Sequence, residues 1–190
     1  AVPSSGHSAS SGRTEEILLA SGSLSEVAEH IRADFGGKAR VWYLADENTV
    51  KAVRPYFDPE NSAASVQIHV LPGEPKPLPI LEDIEKLEID AGAYSPDLVI
   101  ALGGGVISDM VKKISADTGI PNWAIPTAPS VDAYTSGTAA LRVNKYHQSL
   151  PINPAHKVFC DLKILTKAPR VLFLSGVGDL LGKLLALLDW

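Results

Sequence analysis

Apolar residues follow two different spacings along this chain, one typical of strands and the other typical of helices. Five consecutive apolar residues, Leu98 to Leu102, indicate a strand that is buried on both faces of a sheet. Continuous or alternating apolar runs place predicted strands at 41–44, 66–70, 98–102, 123–126 and 158–160. Apolar residues three and four positions apart place predicted helices at 23–35, 47–54, 80–87, 107–116 and 178–190. This alternation predicts an α/β fold, a Rossmann-like and mostly parallel sheet with helices on both faces.

Local signals refine the ends of these elements. Ser23, followed three residues later by Glu26, has the spacing of a capping box, and Gly36 is a helix stop. The stretch 130–154 has no regular spacing and many small or polar residues, so we expect an irregular segment along a cleft. From Gly178 onward the sequence is apolar almost all round, which is typical of a buried helix. The chain ends there, so we expect the surface that covers this helix to be missing and the sequence to be truncated.

Composition and charge restrict the class of protein. The chain has 190 residues, of which 45% are hydrophobic and 21% charged, as in a globular domain. Its net charge of −5 argues against a general nucleic-acid-binding protein, which needs a basic face. Cys160 is the only cysteine, which excludes a disulfide within one chain and favours a cytoplasmic setting. No membrane span is expected, because Asp179, Gly182 and Lys183 interrupt the leucine-rich end.

Three glycines, Gly103 to Gly105, follow the continuous apolar strand and precede a predicted helix. Glycine lets the backbone approach a pyrophosphate, and free N–H groups at the helix start bind phosphate oxygens. The match to the dinucleotide fingerprint G-x-G-x-x-G is partial, because Ser108 stands at the third glycine position. A tight turn without a ligand is the alternative, and spacing alone does not decide between them. Asp109, in the first helical turn, would repel a phosphate, so we expect it to accept hydrogen bonds from loop N–H groups.

A second polar group follows the predicted strand 123–126, at the carboxyl end where open α/β sheets bind their ligands. Hydroxyl groups of Thr127, Ser130 and Ser136 have the chemistry to contact a nucleotide. Asp132 has the chemistry to accept hydrogen bonds from substrate hydroxyls. From the residues alone, the favoured alternative is a capped loop whose polar groups satisfy local backbone groups.

Two further aspartates stand at predicted element ends. Asp179 follows Gly178 at the predicted start of a helix, where its ordinary role is that of an N-cap. Asp46 ends a strand, as do the acids that bind ribose in dinucleotide folds. It precedes the glycine loop instead of following it, so capping of the next helix is the favoured role. The five histidines form no pair with metal-ligand spacing, so a complete metal site within this chain is not expected.

Three segments together resemble the glycerol-1-phosphate dehydrogenases: IALGGGVISDMVK, IPTAPSVDAYTSGTAAL and SGVGDLLGKLLALLDW. That group belongs to a superfamily with glycerol dehydrogenase, the iron-containing alcohol dehydrogenases and dehydroquinate synthase. The resemblance runs from about residue 40 to Trp190. It implies an NAD(P)-binding α/β domain over 13–170 and the start of an all-helical metal and substrate domain over 171–190. Residues 1–12 lack the basic and apolar regions of a signal peptide, and their composition indicates a flexible tail.

The resemblance also implies roles for individual residues. The glycine loop and the first helical turn hold the NAD(P) pyrophosphate, the next loop contacts the cofactor, and Asp46 matches an acid near the adenosine ribose. Asp132 matches a substrate-contacting acid, and Asp179 matches both a metal ligand and a substrate contact, so these two are the implied catalytic residues. The implied cofactor-binding residues are Asp46, Gly103, Gly104, Gly105, Val106, Ile107, Ser108, Asp109, Thr127, Ala128, Pro129, Ser130 and Ser136.

The implied reaction is hydride transfer between NAD or NADP and a polyol phosphate, interconverting dihydroxyacetone phosphate and glycerol 1-phosphate or a similar polyol. A divalent metal, zinc in this group, would polarise the substrate oxygen. Catalytic zinc has three protein ligands, and the two histidine ligands of the family are expected beyond Trp190. The metal site is therefore expected to be incomplete and this chain inactive by itself. The alternative hypotheses are a non-catalytic nucleotide-binding fragment and a lyase related to dehydroquinate synthase, and an uncovered leucine-rich end predicts association, such as a homo-oligomer.

Overall fold

The computed structural model of this protein describes residues 12–188, so nearly all of the tail predicted over 1–12 lies outside the described residues. The strands are β1 (Glu16–Ala20), β2 (Arg40–Asp46), β3 (Ser65–Leu71), β4 (Leu98–Gly103), β5 (Asn122–Pro126), β6 (Thr138–Val143), β7 (Tyr146–Pro151) and β8 (Lys157–Asp161). The helices are α1 (Val27–Phe35), α2 (Glu47–Val53), α3 (Leu81–Tyr94), α4 (Gly105–Thr118), α5 (Leu162–Leu165) and α6 (Arg170–Leu188). Short 3₁₀ turns cover Ser23–Glu26 and Pro59–Asn61.

Six strands form one parallel sheet in the order β1-β8-β5-β4-β2-β3, which confirms the predicted fold class. From β2 the chain moves outward to β3, whereas from β4 it moves in the opposite direction to β5. β2 and β4 are neighbours, and Ala45 pairs with Leu102 near their carboxyl ends. This pair of strands is therefore the topological switch point, where open α/β sheets bind their ligands.

Helices cover both faces of the sheet and form two hydrophobic cores. Trp42 and Leu44 of β2 pack on one face with residues of α3 and α4. Val41 and Tyr43 of the same strand pack on the other face with residues of α1 and α2. All four side chains are fully buried, which explains why the central strands read as continuous apolar runs. Burial of each such side chain stabilises the fold by about 1.5 to 3 kcal/mol.

The stretch 130–154 is not irregular throughout, and this part of the prediction was wrong. β6 and β7 pair as an antiparallel hairpin within it, and Ala139 and Leu141 are buried against the α3–α4 side. The turn consists of Asn144 and Lys145, both with positive φ, of 50° and 70°. Two-residue hairpin turns of this kind need positive φ at both positions, and Asn-Gly is their usual sequence signal. Because lysine replaces glycine at the second position, the sequence does not show the Asn-Gly pair that indicates such a turn.

The N-terminal helix starts differently from the prediction. Ser23 makes no capping hydrogen bond, and Gly22, at φ 89°, is the residue that precedes the 3₁₀ turn. The backbone N–H of Gly22 donates to the carboxylate of Asp161, 2.9 Å away, so the turn is fastened to the end of β8. The helix stop at Gly36 is confirmed, since Gly36 follows α1 with φ 82°.

Helix α6 begins at Arg170, well before the predicted start at Gly178, and none of its residues is buried among the described residues. By length and composition it is apolar enough to cross a membrane, contrary to the expectation that no run reaches that length. The buried core helices of soluble proteins pass the same test. Asp179 and Lys183 lie in the middle of α6, and Lys183 forms an ion pair with Asp132 of the α/β part.

Glu88 of α3 gives a pH dependence of stability that is testable. Burial, followed by the nearby carboxyl of Asp117 on α4, raises its pKa from 4.5 to about 7, although Lys113 opposes the shift. The unfolded chain ionises this carboxyl first, so its contribution to stability falls as pH rises from about 4.5 to 7. Because the group is partly solvated, we expect Glu88→Gln to stabilise the protein by only about 1 kcal/mol at pH 8, and not at pH 4. Urea unfolding at both pH values tests this, and an equal gain at both would contradict it.

Candidate active site

The three glycines of the loop after β4 have different surroundings. A Cβ atom on Gly103 would lie 2.8 Å from the Ile107 side chain, and one on Gly105 would lie 2.7 Å from Val131. A Cβ atom on Gly104 would meet nothing within 4 Å. A side chain at Gly103 or Gly105 would therefore force a neighbouring side chain to shift, whereas Gly104 borders open space. Helix α4 starts at Gly105 without a side-chain cap, so its first N–H groups are available to an anion.

The first turn of α4 exposes backbone and little side chain. Val106 is exposed, whereas Ile107 belongs to the hydrophobic core. Ser108 is 1% exposed, and its hydroxyl has no hydrogen-bond partner among residues 12–188. Any contact of Ile107 or Ser108 with a phosphate would thus run through the backbone N–H groups, as it does at helix N-termini in general.

Asp109 is paired inside the protein. One carboxylate oxygen lies 2.8 Å from the ammonium of Lys112, and the other accepts a hydrogen bond from the backbone N–H of Ala140 at 3.1 Å. Burial raises the pKa of Asp109, while Lys112 opposes that rise. The predicted bond to a backbone N–H is confirmed, but the donor belongs to strand β6. Asp109 therefore connects α4 to the hairpin, and only its edge reaches the cleft.

Lys112 of α4 is buried, and it neither lies on a solvated helix face nor directs its charge at the glycine loop. Its side chain is 0% exposed. Besides the Asp109 carboxylate, its ammonium donates to the carbonyl oxygens of Ala133, at 2.8 Å, and Thr138. It therefore fixes the loop 133–138 to α4. The i,i+3 spacing with Asp109 is the one signal in the sequence that points to this pair.

The loop after β5 is fastened to the glycine loop. The backbone N–H of Thr127 donates to the carbonyl oxygen of Gly103 at 3.2 Å. The hydroxyl of Tyr134 donates to the carbonyl oxygen of Ala128 at 2.8 Å. Thr127 and Ala128 are buried, whereas Ser130 and Ser136 are half-buried and Asp132 is exposed. The capped-loop interpretation thus describes the inner residues of the loop, and the outer ones remain open to a ligand.

One cleft of about 500 Å³ brings together residues from both loops, the hairpin and α6. The predicted site residues that line it are Gly105, Val106, Asp109, Ser130, Asp132, Ser136 and Asp179. Val131 and His147 also line it, although neither was predicted as a site residue. His147 projects from β7, and no sequence signal could place it there while the hairpin was unrecognised. The predicted residues that do not line the cleft are Asp46, Gly103, Gly104, Ile107, Ser108, Thr127, Ala128 and Pro129.

Asp46 lies at the end of β2, next to β4 at the switch point. Its carboxylate accepts hydrogen bonds from the backbone N–H groups of Asn48, at 2.8 Å, and Thr49, at 3.0 Å. Thr49 returns a capping contact to Asp46, which completes a capping box for α2. The capping role favoured by the sequence is confirmed. Asp46 is 8% exposed as a residue, and it ends the strand next to β4, which the glycine loop follows.

Asp179 is not an N-cap, because it lies within α6. Its position follows from Gly176, where a Cβ atom would lie only 2.0 Å from the carbonyl oxygen of Pro129. The bare backbone of α6 therefore rests on the loop after β5, and Asp179 comes one turn later, over the cleft. Lys183, a further turn along, places its ammonium 2.6 Å from Asp179 and 2.7 Å from Asp132. These two carboxylates raise the pKa of Lys183.

The groups around Asp179 decide whether a metal ion can bind there. The Asp179 carboxylate opens onto the cleft and is an oxygen ligand of the kind that divalent cations bind. Within the described range 12–188, however, no three His, Cys, Asp or Glu side chains are grouped so as to hold a metal ion. Lys183 also stands between Asp179 and Asp132. These residues do not form a metal site by themselves, and no reaction step is assigned to a metal.

The chain is similar to one family model and to named relatives. The model of the iron-containing alcohol dehydrogenase family matches residues 18–169. A glycerol-1-phosphate dehydrogenase [NAD(P)+] of Bacillus licheniformis is 40% identical over 94 residues, which are 50% of this chain and 23% of that protein. The enzyme of the same name from Pyrococcus abyssi is 33% identical over 147 residues, 77% of this chain and 39% of that protein. The chain therefore spans less than half the length of these relatives.

Solved structures share the fold at low sequence identity. The iron-containing alcohol dehydrogenase of Thermococcus thioreducens superposes with a TM-score of 0.74 at 19% identity, covering 88% of this chain and 50% of that one. Glycerol dehydrogenase of Schizosaccharomyces pombe gives a TM-score of 0.69 at 22% identity, covering 89% of this chain and 42% of that one. At these identities the similarity establishes the fold and nothing finer.

Proposed function

This chain belongs to the iron-containing alcohol dehydrogenase family, and we propose that it forms the nucleotide-binding part of an NAD(P)-dependent glycerol-1-phosphate dehydrogenase. Two relatives of that name support the proposal. The observation that carries it is the convergence of Gly105, Asp132 and Asp179 on one cleft at the carboxyl ends of the parallel strands. Open α/β sheets bind their ligands at this place.

The residues around the glycine loop fit a dinucleotide. The start of α4 is uncapped, the space beside Gly104 is open, and the cleft next to it measures about 500 Å³. In the proposed complex, backbone N–H groups of Gly105 and Val106 bind the pyrophosphate. Ser130 and Ser136 contact the cofactor from the second loop. Asp46, on the neighbouring strand, faces the adenosine ribose. Residues beside Asp46 then decide between NAD and NADP.

The proposed reaction needs a hydride donor and a polar substrate pocket. When bound, the nicotinamide ring supplies the hydride that reduces C2 of dihydroxyacetone phosphate, whose oxygen takes a proton to give glycerol 1-phosphate and NAD(P)+. Asp132 and Asp179 accept hydrogen bonds from the substrate hydroxyl groups, of which dihydroxyacetone phosphate has one and glycerol 1-phosphate has two, and they orient the ketone. Asp109 is not available for this role because Lys112 and Ala140 bind both of its carboxylate oxygens, whereas Lys183 contacts only one oxygen of Asp132 and one of Asp179. Zinc remains a proposed partner of Asp179.

A binding experiment tests the substrate part of this proposal. Dihydroxyacetone phosphate is titrated by calorimetry into protein saturated with NADH. Asp132→Asn removes a charge that binds hydroxyl groups, so we expect at least about tenfold weaker binding. Asp58→Asn is the matched control, because Asp58 is exposed and caps the turn Pro59–Asn61, a role that asparagine also fills.

The outcomes separate the proposal from its alternative. Equal affinity in wild type and Asp132→Asn would remove Asp132 from the substrate site. If NADH binds but dihydroxyacetone phosphate does not, this chain by itself is a nucleotide-binding module. Three expectations from the sequence stay predictions: the domain boundary at residue 170, a cytoplasmic location and self-association. The relatives named above give no support to the lyase hypothesis.

A further inference from the structure

The ion pair between Lys112 and Asp109 lies inside the protein, next to the cleft. The two residues are one helical turn apart on α4, and their charged groups are 2.8 Å apart. Removing two charges from water costs free energy, and apolar side chains of similar size often stabilise a protein as well or better. Stability alone therefore gives no reason for a charged pair at this position.

The pair binds the backbone of four residues, and the same four residues line the cleft. The Lys112 ammonium donates to three carbonyl oxygens, and the Asp109 carboxylate accepts from one backbone N–H. The carbonyl groups belong to Ala133, at 2.8 Å, Ser136, at 3.5 Å, and Thr138, and the N–H group, at 3.1 Å, belongs to Ala140. Residues 133–140, which form one wall of the cleft, are therefore held through their backbone by this pair.

The same helix carries the proposed phosphate site. α4 begins at Gly105, and both Gly105 and Val106 line the cleft. Asp109 and Lys112 follow within the next two turns, and a helix keeps such groups at fixed distances from its own start. The pair therefore fixes the wall 133–140 relative to the N–H groups that would bind the pyrophosphate.

We propose that Lys112 and Asp109 are positioning residues of the NAD(P) site, which hold the wall 133–140 where a bound dinucleotide needs it. This inference rests on the proposed function. Without the pair, the wall samples several positions, and only a fraction of the molecules is ready to bind. The apparent Kd rises by the reciprocal of that fraction. A wall that is in place for about a tenth of the time thus gives about tenfold weaker binding.

NADH fluorescence titration of a charge-balanced double variant tests this inference. Asp109→Asn/Lys112→Met removes one charge of each sign, so the net charge of the protein stays the same, and it removes the donor to the three carbonyl groups. We expect NADH to bind about tenfold more weakly to this variant than to wild type. Lys112→Met should show a similar loss, but the double variant decides the result, because it leaves no buried charge unpaired.

Ile31→Ala is the control for lost stability. Ile31 of α1 is 1% exposed in the core on the other face of the sheet, and truncation of a large buried side chain destabilises a protein. Titrations are made at a temperature at which circular dichroism and urea unfolding show that every protein is folded. Under these conditions Ile31→Ala should bind NADH like wild type.

Amide hydrogen exchange, measured without NADH, is the second readout. The backbone N–H groups of residues 133–140 should exchange faster in Asp109→Asn/Lys112→Met than in Ile31→Ala, since only the first variant releases the wall from α4. Comparison with Ile31→Ala accounts for exchange through global unfolding. A role of the pair in stability alone would not produce this difference.

The contrary results are distinct. Wild-type NADH affinity in Asp109→Asn/Lys112→Met would overturn the inference. An equal loss of affinity in Ile31→Ala would also overturn it, because the effect would then follow stability and not position, and so would equal exchange of residues 133–140 in both variants. If wild type itself does not bind NADH, the proposed function fails and the inference fails with it. Equal binding by wild type and the double variant contradicts the inference alone.

Discussion

Replacing Gly104 with valine is expected to weaken NADH binding by about 100-fold, through the loss of two charge-assisted hydrogen bonds to phosphate. Gly104 directly precedes α4, and its φ and ψ of −84° and −171° are extended values that valine also adopts. The added side chain would meet no protein atom, since a Cβ atom there has nothing within 4 Å. It would instead occupy the space through which a pyrophosphate reaches the helix N–H groups.

NADH fluorescence titration measures this effect, and urea unfolding verifies the stability of the variant. Gly37→Val is the matched control, because a Cβ atom at Gly37 also meets nothing within 4 Å, and Gly37 lies far along the chain from the glycine loop. It should bind NADH like wild type. Equal NADH affinity in Gly104→Val and wild type would show that this loop does not bind the pyrophosphate, whatever else the cleft does.

Lys112→Met is expected to produce the largest loss of stability, about 3 to 5 kcal/mol, because it leaves a buried carboxylate without its counter-ion. The Lys112 side chain is 0% exposed and lies 2.8 Å from Asp109, and the carbonyl oxygens of Ala133 and Thr138 would lose a donor as well. Urea unfolding followed by tryptophan fluorescence measures the loss. The double variant Asp109→Asn/Lys112→Met removes the unpaired charge and should regain part of the stability.

The neighbouring lysine supplies the control for this prediction. Lys113 also pairs with an aspartate, Asp117, but that pair lies near the surface of α4. The side chains of Lys113 and Asp117 are 17% and 38% exposed, so this pair is more solvated than the Lys112 pair. Lys113→Met should therefore change the free energy of unfolding by only about 1 kcal/mol. A similar change in both variants would mean that the Lys112 pair contributes nothing beyond an ordinary surface ion pair.

The parts of the fold that follow from short-range patterns were predictable. The run Leu98–Leu102, the glycines after it and the helix predicted over 107–116 give strand, loop and helix in a few residues. The structure confirms all three, with the helix extending over Gly105–Thr118. Strand β1, a short apolar run that was not assigned from the sequence, lies at the sheet edge, where Ile17 and Leu19 are 57% and 63% exposed. The β6–β7 hairpin was missed because its turn uses Asn-Lys.

The candidate site was predictable only in part, for a related reason. The loops after β4 and β5 follow from strand ends, so Gly105, Ser130 and Asp132 could be assigned to one edge of the sheet from the sequence. The burial of Lys112 and the bridging position of Lys183 depend on contacts between segments far apart in the chain. The sequence around Lys112 and Lys183 does not differ from that around a lysine on a helix surface. Only the three-dimensional packing shows that these two side chains make contacts within the protein.

Gly176 imposes a different kind of constraint, one on which sequences this fold tolerates. The backbone of α6 touches Pro129 there, and even the methyl group of alanine would force the helix off the loop. Gly178 and Gly182, on the same helix, border open space and accept larger residues without a clash. Of the three glycines in α6, position 176 is therefore the one whose replacement separates the helix from the cleft. A variant of this chain that lacks glycine at position 176 must hold Asp179 over the cleft by another packing arrangement.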